Sequence, residues 1–308
     1  MGRGQDTMGK SPINKNTTGY TMLIPASILF VLINIAPFIY GFILSFTDTN
    51  YLRPNSGQGF VGLQNFYDIV FNDPEFYGVL IYSFIYTIGV VILSYALGLL
   101  LAVLLNRDIK FRGLFRALAL LPWLMPSVVA VVVWQTLLND QVGIINGFMQ
   151  NIGLIDKPIQ FLAAPQLARI VVIITAVWKT YPFMMVVLLA GLQSIGDEMY
   201  EPAYIDGAGP LKVFRYITMP LLKPVTLIAI SLMFIWTFNT LSFDNIYLLT
   251  RGGPANATFV LSIQTYYTAF FRGKIGYASA ISIVMLLTIS VIIIVYTVWK
   301  KRKDEVVI

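Results

Sequence analysis

Residues 201–222, "EPAYIDGAGPLKVFRYITMPLL", are a polar and charged stretch set between two long apolar runs. Gly207, Gly209 and Pro210 punctuate it, and "GAGP" reads as a turn with Pro210 at the first position of a new helix. Beyond that turn Leu211, Phe214 and Ile217 recur every three residues, which gives one apolar face and leaves Lys212 and Arg215 pointing elsewhere. Pro220 and Pro224 are expected to break this helix before the next apolar run. Upstream, Asp197 is placed to cap a short helix carrying Glu201 and Ala203. The stretch therefore predicts two short helices at an angle. On these residues alone it is equally an amphipathic loop lying on an interface or an element that another protein grips.

Its flanks settle the solvent. The chain has 308 residues, 57% hydrophobic and 12% charged, whereas a soluble domain carries about 25% charged residues. This is the composition of an all-α integral membrane protein. It contains no cysteine and no histidine, which excludes disulfides, thiolate metal sites and the usual neutral-pH general base. No metal or cofactor is expected. A membrane-crossing helix needs about 20 apolar residues, and six runs qualify, at 22–46, 79–105, 117–138, 167–192, 224–248 and 276–299. Trp123, Trp134 and Trp299 fall near the ends of these runs, where indoles favour the membrane interface. Fourteen Lys and Arg residues lie in the two termini and in the loops after the second and fourth runs, against five in the other three loops. By the positive-inside rule both termini and the 201–222 insert are cytoplasmic. Residues 1–19 are read as a flexible cytoplasmic tail, 20–300 as one six-helix membrane domain that includes the insert at 197–222, and 301–308 as a second tail. The net charge of +6 is explained by this asymmetry and implies no nucleic acid.

Glu201, Ala203, Gly207, Phe214, Ile217 and Pro220 have a spacing that resembles the EAA loop of binding-protein-dependent ABC importer permeases. "YIDGAGP" (204–210) resembles the sugar branch of that family, the maltose-permease-like carbohydrate transporters. "FVGLQNFYDIV" (60–70), "FRGLFRALALLPWLMPSVVAVVVW" (111–134) and "LLTRGGPANAT" (248–258) extend the likeness over most of the chain. The resemblance implies a type I importer permease fold with six transmembrane helices. It implies that Glu201, Ala203, Asp206, Gly207, Ala208, Phe214, Ile217 and Pro220 couple to a cytoplasmic ATPase. It further implies a second homologous permease, two ATPase subunits, an extracellular solute-binding protein, a carbohydrate substrate and a bacterial plasma membrane. The sequence contains no GxxxxGK[ST] phosphate loop, so ATP hydrolysis falls to a separate subunit and the chain is not expected to be an enzyme. Two positions depart from the motif. Pro202 stands where the family has its first Ala and should delay or kink the first helix. Met219 stands where Leu is usual, a volume-conserving change.

Lys179 lies ten residues past Arg169, near the middle of the fourth run, where a charge costs about 2.5–3.5 kcal/mol on insertion scales. Asn239 is near the middle of the fifth run, with Ser242 one turn on. These polar residues either line a pathway or hold helices together, and Asp244 is a candidate partner for Lys179. The resemblance places the sugar site between these two spans and maps it to Ala176, Lys179, Thr180, Phe183, Asn239 and Ser242. Asn239 keeps the family's residue type and Lys179 does not, which leaves sugar acids, sugar phosphates and polyols open as cargo. An ion-driven secondary transporter is the rival class. It would want paired mid-span acids and an inverted repeat, and Asp244 is the sole acid within a run.

Overall fold

The computed structural model of the chain describes residues 15–53 and 59–305, and their side chains between 23 and 295. Residues 1–14 of the expected first tail and 306–308 of the second lie outside the described residues. Helix extends from Lys15 through the first run and up to Glu305 at the other end.

Among the described residues the regular structure is helical, with two isolated bridges. The helices are α1 (Leu23–Leu44), α2 (Gln64–Tyr67), α3 (Phe76–Asn106), α4 (Arg112–Leu124), α5 (Ser127–Leu137), α6 (Ile144–Asn151), α7 (Pro165–Gln193), α8 (Glu201–Ile205), α9 (Pro210–Leu249), α10 (Leu261–Tyr266) and α11 (Ile275–Val295). Five of them, α1, α3, α7, α9 and α11, are long and apolar enough to cross a membrane.

The third expected span differs. Residues 117–138 do not form one straight helix: α4 and α5 meet at a 94° bend across Met125 and Pro126. Pro126 forces its predecessor into extended backbone, and Met125 has ψ 135°. The pair counts as a sixth, broken span. The second correction concerns Pro220 and Pro224, which do not break a helix. Helix α9 runs without interruption from the 201–222 insert to Leu249. A wide, π-helical turn at Phe214–Thr218 precedes Pro220 and absorbs the missing N–H and the bulk of the ring within a continuous helix. A similar wide turn at Val31–Ile35 precedes Pro37 in α1.

The core is built on α3, α7 and α9. In lipid there is no hydrophobic drive between helices, so small residues and close packing take over. A Cβ on Gly98 of α3 would lie 2.6 Å from Met184 Cβ of α7, and one on Gly191 of α7 would lie 2.7 Å from Leu222 of α9. Tyr86, Met184, Met185, Leu188, Leu222 and Met233 are fully buried there. Ser94 and Thr180 share a hydrogen bond of 2.9 Å across α3 and α7. A second cluster, with Ile69, Phe238, Leu261 and Ile281, seats α11 and α10. Helix α1 packs on this body at its C-terminal end and leaves its apolar side chains exposed. The bridge Thr47–Phe60 closes the segment after α1 on itself, and the bridge Asn50–Lys274 ties that segment to the one before α11, which a six-span topology puts on the same side.

Candidate functional site

The insert begins with a single 3-10 turn at Asp197–Met199, followed by α8. Asp197 makes no side-chain capping bond, contrary to the expectation; its carbonyl instead accepts from the Tyr200 N–H at 2.9 Å. Pro202 sits in the first turn of α8, where its missing N–H costs nothing, and the helix starts late as its presence predicts. Gly207 has φ +71°, the left-handed conformation that L side chains resist. A Cβ there would meet nothing within 4 Å, so the demand for glycine is conformational. The Ala208 N–H donates to the Ala203 carbonyl at 2.9 Å and locks the turn between α8 and α9.

Along the first turns of α9 the expected apolar face is only partly right. Phe214 and Ile217 are half-buried, but Leu211 is 78% exposed, and Val213 and Thr218 are the buried residues. The wide turn at 214–218 rotates the phase of the helix, so a strict three-residue repeat no longer follows one face. Glu201, Asp206 and Pro220 are exposed, and Ala203 and Ala208 are half-buried. Tyr204, Ile205, Leu211 and Tyr216 are all more than 60% exposed. Behind the insert, the Gln193 amide oxygen at the end of α7 accepts from Arg112 Nη2 at 2.8 Å and from Arg116 Nη2 at 2.7 Å, in the amide orientation that satisfies both groups. This clasp joins the first turns of α4 to the root of the insert.

The six expected pathway residues separate into three environments. Ala176 and Thr180 are fully buried where α7 meets α3. Lys179 and Phe183 lie on another side of α7. The Phe183 ring packs between Trp123 and Trp236, 6.2 Å from each. Lys179 Nζ donates to the Met125 carbonyl at 2.6 Å, at the corner between α4 and α5. Among the described residues the ion pair within 4 Å is Arg112 with Asp108, so Lys179 does not contact Asp244 as an ion pair. A cation at the end of a half-helix satisfies carbonyls that the break leaves without donors and opposes the helix dipole. Asn239 and Ser242 lie at and beside a wide turn at Thr237–Leu241. Ser242 is buried and shares a hydrogen bond of 2.9 Å with Ser262. Asn239 is half-buried and opens onto two adjoining grooves of about 360 and 400 Å³. Trp134 is half-buried, edge-on to Trp178 at 5.7 Å, whereas Trp123 stays exposed.

Three polar residues outside that set organise the same region. Asn245 of α9 is buried and donates to the Val172 carbonyl at 2.8 Å, to Thr175 Oγ1 at 3.2 Å and to Tyr86 Oη at 3.3 Å, which ties α9 to α7 and α3. Gln135 of α5 donates to the carbonyls of Leu248 and Leu249, both at 3.2 Å. Arg169 donates to the Ala257 carbonyl at 2.7 Å and holds the loop that follows α9. Its guanidinium lies 5.2 Å from the centre of the Tyr82 ring. Amides inside apolar runs were the available signal for Asn245 and Gln135, but their partners are distant in sequence.

Comparison with known proteins places this geometry. Residues 94–304 match the family model described as "Binding-protein-dependent transport system inner membrane component". The chain belongs to this family. It is 38% identical over 270 residues to a probable ABC transporter permease protein of Sinorhizobium fredii, covering 87% of this chain and 85% of the relative. It is 35% identical over 287 residues to the trehalose/maltose transport system permease protein of Thermococcus litoralis, covering 93% and 95%. It is 31% identical over 303 residues to the galactooligosaccharides transport system permease protein of Bacillus subtilis, covering 93% of this chain and 70% of the relative. In fold it is similar to a chain of a bacterial ABC transporter involved in the import of the acidic polysaccharide alginate, with TM-score 0.79 and 23% identity, covering 94% of this chain and 97% of that one. The fold is therefore that of ABC importer permeases, and the chain is an integral membrane transport subunit.

Proposed function

We propose that this permease is one of two membrane subunits of a bacterial ATP-driven sugar importer. It pairs with a homologous permease, two cytoplasmic ATPase subunits and an extracellular sugar-binding protein. Relatives whose names specify trehalose/maltose and galactooligosaccharides support a carbohydrate cargo. The observation that carries the coupling role is the continuity of α9. One rod of 40 residues, Pro210–Leu249, joins the exposed tip of the insert to the segment holding Asn239. Closure of an ATPase dimer against Tyr204, Ile205, Leu211 and Tyr216 swings that rod as a rigid body, and α7 follows through the packing of Gly191 on Leu222. Both termini and the insert face the cytoplasm, as the distribution of basic residues requires.

Within this reading the pathway runs beside α9. Asn239 offers amide groups to sugar hydroxyls, Ser242 backs it, and Phe183 closes one wall with Trp123 and Trp236. Lys179 fixes the corner of the broken span, and Ala176 and Thr180 hold α7 in place against α3. Access alternates as the two permease halves rock. The test is reconstitution of this chain with the permease, ATPase and binding protein encoded beside it, followed by uptake of maltotriose, trehalose and galactotriose. ATP-dependent uptake of one of them is expected. Uptake driven by an ion gradient without the ATPase would replace this reading with secondary transport.

A further inference from the structure

Aromatic side chains gather along one side of the outer end of α9. Phe243 lies 5.1 Å from Tyr266, and Tyr266 lies 5.0 Å from Phe270. The series continues outward through Tyr247, which is 6.3 Å from Tyr267, and through Tyr267, which stacks on Phe271 at 4.8 Å. Rings in lipid-facing belts need no polar neighbours beyond their own hydroxyls. Here Phe243, Tyr266 and Phe270 instead wall a groove of about 400 Å³ whose remaining lining includes Asn239, Thr240 and Thr265. Thr240 is exposed, and the Asn239 amide is committed on one side only, through Nδ2 to the Ile235 carbonyl at 3.0 Å. The groove thus combines apolar ring surface with free amide and hydroxyl groups, the two things a pyranose offers partners for: a C–H face and a rim of hydroxyls.

No charged side chain lines it. That contrasts with the open depression nearer α2, where Asp48, Asp68 and Asp73 face Arg272 and Lys274. A carboxylate or phosphate taken into the aromatic groove would lose water without gaining a cation, a costly exchange.

We propose that the groove between α9 and α10 is a sugar subsite that takes one neutral pyranose unit and hands it inward to Asn239. This rests on the reading of the chain as a sugar importer permease, and it adds a subsite and a preference for uncharged sugar. Tyr266 and Phe270 supply the stacking faces, Asn239 and Thr240 the hydrogen bonds, and the outer rings Tyr267 and Phe271 extend the track toward the external surface.

The experiment uses the complete reconstituted transporter with maltotriose, trehalose, galactotriose and an alginate trisaccharide as probes. Tyr266→Ala and Phe270→Ala are expected to raise KM for the neutral sugar about three- to tenfold, the loss of one aromatic contact, while Tyr266→Phe stays within twofold of the parent. A cysteine placed by Thr240→Cys, unique in a chain that has none, should be alkylated at least fivefold more slowly when the transported sugar is present. That readout stands even if an alanine variant fails to assemble. Uptake of a neutral sugar by the parent, with unchanged KM in the alanine variants and no protection of the cysteine, would overturn the subsite and leave the importer intact, the rings then serving as membrane-interface anchors. Transport and protection by the alginate trisaccharide but by no neutral sugar would overturn the charge preference. Failure of the parent to take up any of the four with ATP would overturn the importer reading itself, and the subsite with it.

Discussion

Lys179→Met tests how the broken span is held. In the structure Lys179 Nζ reaches the Met125 carbonyl at 2.6 Å, where α4 and α5 turn through 94°. The break leaves carbonyls at the end of α4 without intrahelical donors, and Pro126 has no N–H to offer. A hydrogen bond from a charged group contributes about 1.5–3 kcal/mol, so its removal should shift the population of the bent arrangement by roughly 10- to 150-fold. Methionine keeps the length and apolar stem of lysine, so the cavity beside Ser127, Trp134 and Asn245 stays filled. The assay pairs the thermal midpoint of the purified transporter with ATP-driven uptake in liposomes. The expected outcome is a complex that still assembles, a midpoint lower by several degrees and uptake reduced about tenfold or more. Asp244→Asn is the internal comparison: with no Lys179–Asp244 ion pair within 4 Å, it should change either readout by less than twofold. Parental stability and uptake in Lys179→Met would refute the capping role. An Asp244→Asn variant that reproduces the full loss would show that the lysine acts through the carboxylate instead.

Gly207→Val should cost about 1–2 kcal/mol or more at a residue held at φ +71° and cut ATPase co-purification and sugar-stimulated hydrolysis at least about fivefold. Gly207→Asn, which tolerates that conformation, should retain most of both, and equal behaviour of the two variants would remove the conformational argument. Gly98→Val puts a side chain onto Met184, where even a Cβ would stand 2.6 Å away; it should destabilise the bundle by about 1–3 kcal/mol, read as aggregation on size-exclusion chromatography after extraction. Cysteines placed singly at Asn151 and Asn256 should react with an impermeant maleimide from outside intact cells and one at Lys212 should not; outside labelling of Lys212 would invert the topology and separate the insert from any cytoplasmic ATPase.

Membrane class, six apolar segments and the place of the charged insert follow from the sequence because they rest on composition, segment length and charge, which are additive along the chain. The turn at Gly207 was also legible, since few residues other than glycine accept its backbone. What proline does within a helix was not. Pro126 turns a span through a right angle, whereas Pro220 and Pro224 sit inside one unbroken helix. The difference lies in whether a wide turn and neighbouring helices can take up the missing N–H, and that is a property of packing. The phase of the insert has the same origin: ahead of the wide turn at 214–218 Leu211 is exposed and Val213 buried, which a strict periodicity cannot anticipate. The polar residues inside the bundle carry the lesson furthest. Sequence marks Lys179 and Asn239 as costly in lipid, but Lys179 finds its partner at Met125, far along the chain, Asn239 bonds back to Ile235 on its own helix, and Asn245, which the pattern did not single out, reaches Val172 of α7. A desolvated donor is satisfied by whichever carbonyl the helix packing brings within reach, so only the tertiary structure decided that Lys179 meets the corner between α4 and α5 while Asn239 faces an open groove.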